Sequence, residues 1–119
     1  MAELNEFELL LLKTIIDHNA DKFNYLPAHL DFIRTESIKA SSTGLHITFA
    51  YSKDFDEDAE YVNGLLSTEL KLISPKLKNE LTYCLDVTNG KMDFLEIVTN
   101  EKEIWDGDLA HCSLISASE

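Results

Sequence analysis

Five carboxylate side chains stand within seven residues near the middle of the chain, at Asp54, Asp56, Glu57, Asp58 and Glu60. Carboxylates at alternate positions are typical calcium ligands, but an EF-hand loop also needs a glycine at its sixth position and a bidentate glutamate at its twelfth. Counted from Asp54, the twelfth residue is Leu65. The pattern therefore favours either a solvated loop or a surface that docks lysine and arginine, with Phe55 and Tyr61 as apolar contacts.

A second acidic cluster lies in the last quarter of the chain, where seven carboxylates from Asp93 onward stand against a single lysine, Lys102. Trp105 lies within this cluster, and an aromatic side chain inside a polar rim often supplies much of the binding energy of an interface. The alternative is that Trp105 completes the hydrophobic core. The predicted partner-binding residues combine both clusters: Asp54, Phe55, Asp56, Glu57, Asp58, Glu60, Tyr61, Glu101, Glu103, Trp105, Asp106 and Asp108.

The chain carries no sequence motif of a known catalytic or cofactor site. It has no Gly-x-Ser-x-Gly, P-loop, Gly-x-Gly-x-x-Gly or His-Glu-x-x-His pattern. Its histidines do not fall at metal-ligand spacing, and Cys84 has no electropositive neighbours in sequence to activate a thiol. We therefore predict a protein that is not an enzyme and needs no metal or cofactor. A small-ligand or catalytic pocket near Glu96, Arg34 and His46 is the alternative.

The overall charge restricts the class of partner. The 119 residues include 22 Asp and Glu against 10 Lys and Arg, a net charge of −12, yet 45% of them are hydrophobic, which predicts a folded core. Such a surface repels nucleic acid and anionic membranes and attracts basic proteins. The chain has neither a basic signal-peptide start nor an apolar run of bilayer length. We expect a cytoplasmic protein, monomeric when free, with Cys84 and Cys112 reduced.

The N-terminal part of the chain predicts helices. Asn5 followed three residues later by Glu8 forms a capping-box pattern, and apolar residues recur at spacings of three and four up to about His18. Asn19 is a plausible C-terminal stop. A short second helix, disrupted by Pro27, is expected before residue 31.

The remainder of the chain predicts strands. Two hairpins are expected, one across residues 41–44 and one across the Asn89-Gly90 pair, whose residues tolerate the positive φ of a type I′ turn. Pairing outward from that turn sets Val87 opposite Met92 but would set Tyr83 opposite Glu96. Either a bulge after Phe94 reverses the register, or Glu96 points into the core and needs a partner such as Arg34.

Two further strands complete the predicted sheet, at residues 68–73 and, as an edge strand or a frayed tail, at residues 109–115. The predicted fold class is α+β, in which one or two N-terminal helices pack on a mainly antiparallel sheet of about five strands. We predict a single domain over residues 1–119, near the commonest domain length. An edge strand at residues 109–115 would allow a further alternative, a structural module that associates with itself.

The order of these features resembles a loose group of small bacterial proteins. They open with an Asn/Glu-Phe-Glu-Leu-Leu helix, continue with a second helix that feeds a strand, and end in an Asn/Asp-Gly hairpin whose second strand contains Leu-Glu. Residues 5–12, 26–36 and 89–97 carry these features here. The chain departs from the pattern at residues 42–46, where a more aromatic strand entry is usual.

In the order of its helices and hairpins, the chain looks like the immunity proteins of bacterial toxin systems, including contact-dependent inhibition. The resemblance implies that it binds a cognate basic toxin domain, often a nuclease, and blocks it by occlusion. It implies no catalytic residues. Carboxylates would steer the encounter between the two proteins, and a few buried aromatic contacts would hold the complex together.

Overall fold

The computed structural model describes residues 3–53 and 63–116, and its fold is α+β. Helix α1 spans Glu6–His18. The predicted capping box is present: Asn5 Oδ1 accepts from the Glu8 N–H at 2.7 Å, and Glu8 Oε1 accepts from the Asn5 N–H at 2.9 Å. Asn19 caps the other end, where its backbone N–H donates to the Ile16 and Asp17 carbonyls. Both predicted helix boundaries are therefore confirmed.

The second predicted helix is a 3₁₀ helix over Leu26–Phe32, with Pro27 in its first turn. Proline is tolerated there because the first backbone N–H groups of a helix have no acceptor within the helix. Leu26 and His29 are its buried residues. The helices of residues 3–53 and 63–116 are all too short to cross a bilayer.

Five antiparallel strands form the main sheet, in the spatial order β1-β2-β6-β5-β3. Their bounds are β1 Ile33–Ser41, β2 Gly44–Tyr51, β3 Gly64–Leu66, β5 Thr82–Thr88 and β6 Lys91–Val98. Both predicted hairpins are present, as β1–β2 and β5–β6. The short strand β3 lies in a stretch whose sequence shows no clean period.

The β5–β6 hairpin turns at Asn89 and Gly90, with φ of 52° and 77°, as a type I′ turn requires. Val87 faces Met92 as predicted, but the register then shifts by one residue. Asp93 has no opposite residue, and Tyr83 faces Ile97 rather than Glu96. The expected bulge therefore lies before Phe94, not after it, and Glu96 is directed away from the core.

A separate two-stranded sheet holds strand β4, Lys71–Ile73, against strand β7, Ser113–Ile115. The predicted strand at residues 68–73 is thus shorter than expected and belongs to this second sheet. The predicted final strand begins only at Ser113, because a second 3₁₀ helix occupies Leu109–His111.

The hydrophobic core lies between α1 and one face of the main sheet. Four helix residues are almost fully buried there: Leu11, Leu12, Ile15 and Ile16. Alternate residues of the central strands supply the other side, including Ile47, Leu85, Leu95 and Ile97. The opposite face of the sheet carries His46, Cys84, Phe94 and Glu96, which are only partly buried. The apolar stripe of α1 and the inward-facing residues of the strands thus pack together in one apolar layer.

Candidate protein-binding surface

The structure describes five of the twelve predicted partner-binding residues: Glu101, Glu103, Trp105, Asp106 and Asp108. The other seven, Asp54, Phe55, Asp56, Glu57, Asp58, Glu60 and Tyr61, lie outside the described residues. The stretch 100–108, which contains all five described residues, is here called the acidic segment.

The acidic segment follows β6 and runs beside the β1–β2 turn. The Thr99 N–H donates to the Thr43 carbonyl and the Trp105 N–H donates to the Ser42 carbonyl, both at 2.9 Å. Within the segment, Glu101 and Lys102 have φ of 55° and 58°, in the left-handed region that few non-glycine residues adopt. These two bonds attach the tight turn at residues 99–105, at both of its ends, to the turn of the β1–β2 hairpin.

Trp105 is only 3% exposed and belongs to the hydrophobic core. The alternative that Trp105 completes the hydrophobic core is therefore confirmed, and its side chain offers little surface to a partner. The indole N–H has no hydrogen-bond partner among the residues that the structure describes. An unpaired buried donor costs free energy, so apolar packing must outweigh this cost.

The apolar side chain that the acidic segment presents to solvent is Ile104, which is 80% exposed. It precedes the buried Trp105, so the backbone bonds that fix the tryptophan also fix the isoleucine. Sequence reasoning missed Ile104 because an aliphatic residue gives no compositional signal beside a tryptophan.

Glu103 braces the segment against the loop that follows β4. Its two carboxylate oxygens accept from the Lys78 N–H at 2.7 Å and the Asn79 N–H at 2.9 Å. These bonds favour the ionised form, so they hold the pKa of Glu103 below its ordinary value. The carboxylate thus keeps its charge and fixes the backbone of a neighbouring loop.

Asp106 and Asp108 bind a lysine and a histidine of the same chain. Lys76 Nζ lies 2.6 Å from Asp106 Oδ2 and 3.8 Å from Asp108 Oδ2, and His111 Nδ1 lies 2.6 Å from Asp108 Oδ2. The lysine and histidine lower the pKa of these carboxyl groups. Sequence counting gave this region a single lysine; the fold adds Lys76, so part of the acidic charge is neutralised locally.

The alternative pocket of Glu96, Arg34 and His46 assembles only in part. His46 Nδ1 lies 3.2 Å from Glu96 Oε2, and the His46 ring stacks on Phe94 at a centroid distance of 4.4 Å. His46 and Glu96 line an open groove of about 230 Å³. Arg34 pairs across from Ala50, four residues along β2 from His46, and its guanidinium donates to the Asp31 and Ile33 carbonyls.

The thiols and the potential metal ligands form no further assembled site in the described stretches. Cys84 and Cys112 are both free thiols, and burial raises the pKa of Cys112 to about 11. Such a thiol is almost wholly protonated at neutral pH and hence a poor nucleophile. Within residues 3–53 and 63–116, no three His, Cys, Asp or Glu side chains are grouped as metal ligands.

Comparison with known proteins found no matching family model, no matching curated protein and no matching solved structure. The braced acidic segment with its exposed isoleucine is therefore the main structural basis for a functional proposal.

Proposed function

We propose that this chain is a cytoplasmic immunity protein that binds a cognate basic toxin domain, of the nuclease type, and neutralises it by occluding its active surface. The observation that carries the proposal is Ile104, an 80% exposed aliphatic side chain on a segment fixed by hydrogen bonds at several points. In this proposal the chain acts by binding and performs no catalysis.

The bracing of the acidic segment favours tight binding. A partner that covers Ile104 gains the free energy of burying an aliphatic side chain, and it does not have to order the segment first. Glu103 is already bonded to the loop that follows β4, and Trp105 is already buried. A preorganised surface loses less conformational entropy on association than a flexible one.

The net charge of −12 supports a basic partner. Excess negative charge raises the rate of encounter with a basic protein, and this effect falls as ionic strength rises. Because Lys76 neutralises part of the acidic segment, we assign much of the steering to the carboxylates of residues 54–60. Reversing the charge of Asp56, Glu57 and Asp58 should slow association and flatten its salt dependence in stopped-flow measurements.

The deciding experiment uses the protein encoded next to this chain as the candidate toxin. The two proteins are purified together, and the dissociation constant is measured for the native chain and for Ile104→Asp. We expect the substitution to weaken binding by about tenfold or more. Ile38→Asp, at a 55% exposed position on strand β1, is the matched control and should bind like the native chain. Equal affinities of the native chain and Ile104→Asp would refute the proposal.

A further inference from the structure

A groove of about 550 Å³ lies between the first turns of α1 and the second 3₁₀ helix. The described residues that line it are Asn5, Glu6, Phe7, Leu10 and Ala110. Its volume falls within the usual range of binding clefts, about 300–1,000 Å³. Leu10 is 52% exposed and lies between the partly buried Leu9 and the fully buried Leu11. The groove is thus large enough for a ligand and has an apolar wall open to solvent.

The walls of the groove are fixed before any partner arrives. The capping box holds Asn5 at the start of α1, and Phe7 packs against the hydrophobic core. On the other side, Asp108 Oδ1 accepts from the Ala110 N–H at 3.0 Å. The groove wall is therefore bonded directly to the acidic segment, and the two surfaces are continuous through Asp108.

The charge of the groove selects among possible occupants. Glu6 is the charged member of the described lining, which contains neither lysine nor arginine. Asp108, next to the groove wall, is a second carboxylate, but His111 Nδ1 at 2.6 Å and Lys76 Nζ at 3.8 Å already offset part of its charge. The anionic edge therefore rests mainly on Glu6. An apolar groove with an anionic edge complements a large apolar side chain that is flanked by lysine or arginine.

We infer that this groove is a second contact site for the basic partner and that it receives one large apolar side chain from a lysine- or arginine-rich segment. The inference rests on the proposed function and names the chemistry of the partner segment. Leu10 and Phe7 contact the apolar side chain, and Glu6 pairs with a flanking cation. The second site would add to the contact at Ile104.

Two short synthetic peptides test the groove directly. One alternates lysine and glycine around a central phenylalanine, and the other has alanine in place of the phenylalanine. Each is titrated into the ¹⁵N-labelled full chain while amide chemical shifts are recorded. The phenylalanine peptide should move the amides of Phe7, Leu10 and Ala110, with a dissociation constant on the order of 1 mM. The alanine peptide should bind about tenfold more weakly, because it buries no large apolar side chain.

Leu10→Ser should weaken binding of the phenylalanine peptide about tenfold, because it removes the apolar wall without adding a charge that could attract the lysines. Leu65→Ser is the matched control: Leu65 is 67% exposed on strand β3, it is not among the described residues that line the groove, and its substitution should leave binding unchanged. Thermal unfolding of both variants checks that they fold.

Equal binding of the two peptides, or undiminished binding to Leu10→Ser, would overturn the inference. Shifts confined to the amides around Ile104 would also overturn it, while the proposed function would stand. The proposed function fails on a different measurement, the affinity of Ile104→Asp for the neighbouring gene product.

Discussion

Ile104 and Trp105 are adjacent in sequence, but their side chains lie in opposite environments, one 80% exposed and the other 3% exposed. The backbone N–H of Trp105 is bonded to the Ser42 carbonyl, which sets the direction of both side chains. The tryptophan therefore stabilises the fold, and the isoleucine is available to a partner. This division of roles can be measured.

Trp105→Ala should lower the free energy of unfolding by about 3–5 kcal/mol, because it removes a large buried side chain and leaves a cavity. Ile104→Ala should change it by less than about 0.5 kcal/mol, because the side chain is already in water. Urea unfolding followed by far-UV circular dichroism compares the two. A larger loss for Ile104→Ala than for Trp105→Ala would contradict the assignment.

Gly44→Ala should destabilise the protein by about 1–3 kcal/mol, because the added Cβ would lie 2.5 Å from the Ile97 carbonyl oxygen. That oxygen belongs to the backbone of β6 and cannot move without disturbing the β2–β6 pairing. Gly64→Ala is the matched control, since its Cβ would approach no closer than 3.5 Å to Phe23. Chemical unfolding should give the native chain and Gly64→Ala similar stabilities; an equally mild Gly44→Ala would count against the close packing at this position.

The pair of buried His29 and half-buried Tyr51 should make stability depend on pH at both ends of the range. Tyr51 Oη lies 2.9 Å from His29 Nδ1 and accepts from the Met92 N–H. Burial lowers the pKa of His29, with a smaller contribution from Lys91, and raises the pKa of Tyr51 to about 12. The native state thus favours the neutral form of both rings.

The direction of each pH effect depends on whether the native or the unfolded chain changes its protonation first. Below the ordinary histidine pKa of 6.5 the unfolded chain takes up a proton before the native one does, so stability falls as pH decreases. Above the ordinary tyrosine pKa of 10.0 the unfolded chain loses a proton first, so stability falls as pH rises towards about 12. Tyr51→Phe should have a free energy of unfolding about 1–3 kcal/mol lower than that of the native chain at neutral pH. Its free energy of unfolding should also fall less as the pH becomes alkaline. An unaltered alkaline decline would exclude Tyr51 as its source.

Glu103→Gln should reduce the sensitivity of the protein to acid. The pKa of Glu103 is held below its ordinary value of 4.5 by the Lys78 and Asn79 N–H groups. As pH falls past 4.5, the unfolded chain therefore binds the proton first and stability is lost until the native carboxyl also titrates. The glutamine cannot titrate, so this part of the decline should disappear. Glu101→Gln removes the same charge from an exposed position of the segment and should retain the decline.

Local signals predicted local structure well. The capping box of Asn5 and Glu8 and the turn at Asn89-Gly90 lie within a few residues, so their hydrogen bonds and dihedral angles follow from the residue types present. The strand register from Phe94 onward could not be predicted as readily. A bulge at Asp93 changes the face of every later residue. Glu96 consequently meets His46 on the open face instead of Arg34 in the core.

Long-range contacts account for the errors at the candidate site. Lys76 is 30 residues from Asp106, so counting charges along the sequence did not reveal their ion pair. Strand β3 was missed because its three residues carry too little alternation, and only pairing with β5 defines it. For Trp105 the sequence left both an interface anchor and a core residue open, because its acidic neighbours suggest exposure whereas burial depends on the residues that fold over it.

The β2–β6 pairing also bears on the speed of folding. Each of the two long hairpins closes through a short turn, but His46 and Glu96, which join the hairpins, are 50 residues apart in the chain. Closing so long a loop costs entropy before any contact repays it. We expect the hairpins to form early and their union to limit the rate, so that substitutions at the β2–β6 seam slow refolding more than those within either turn.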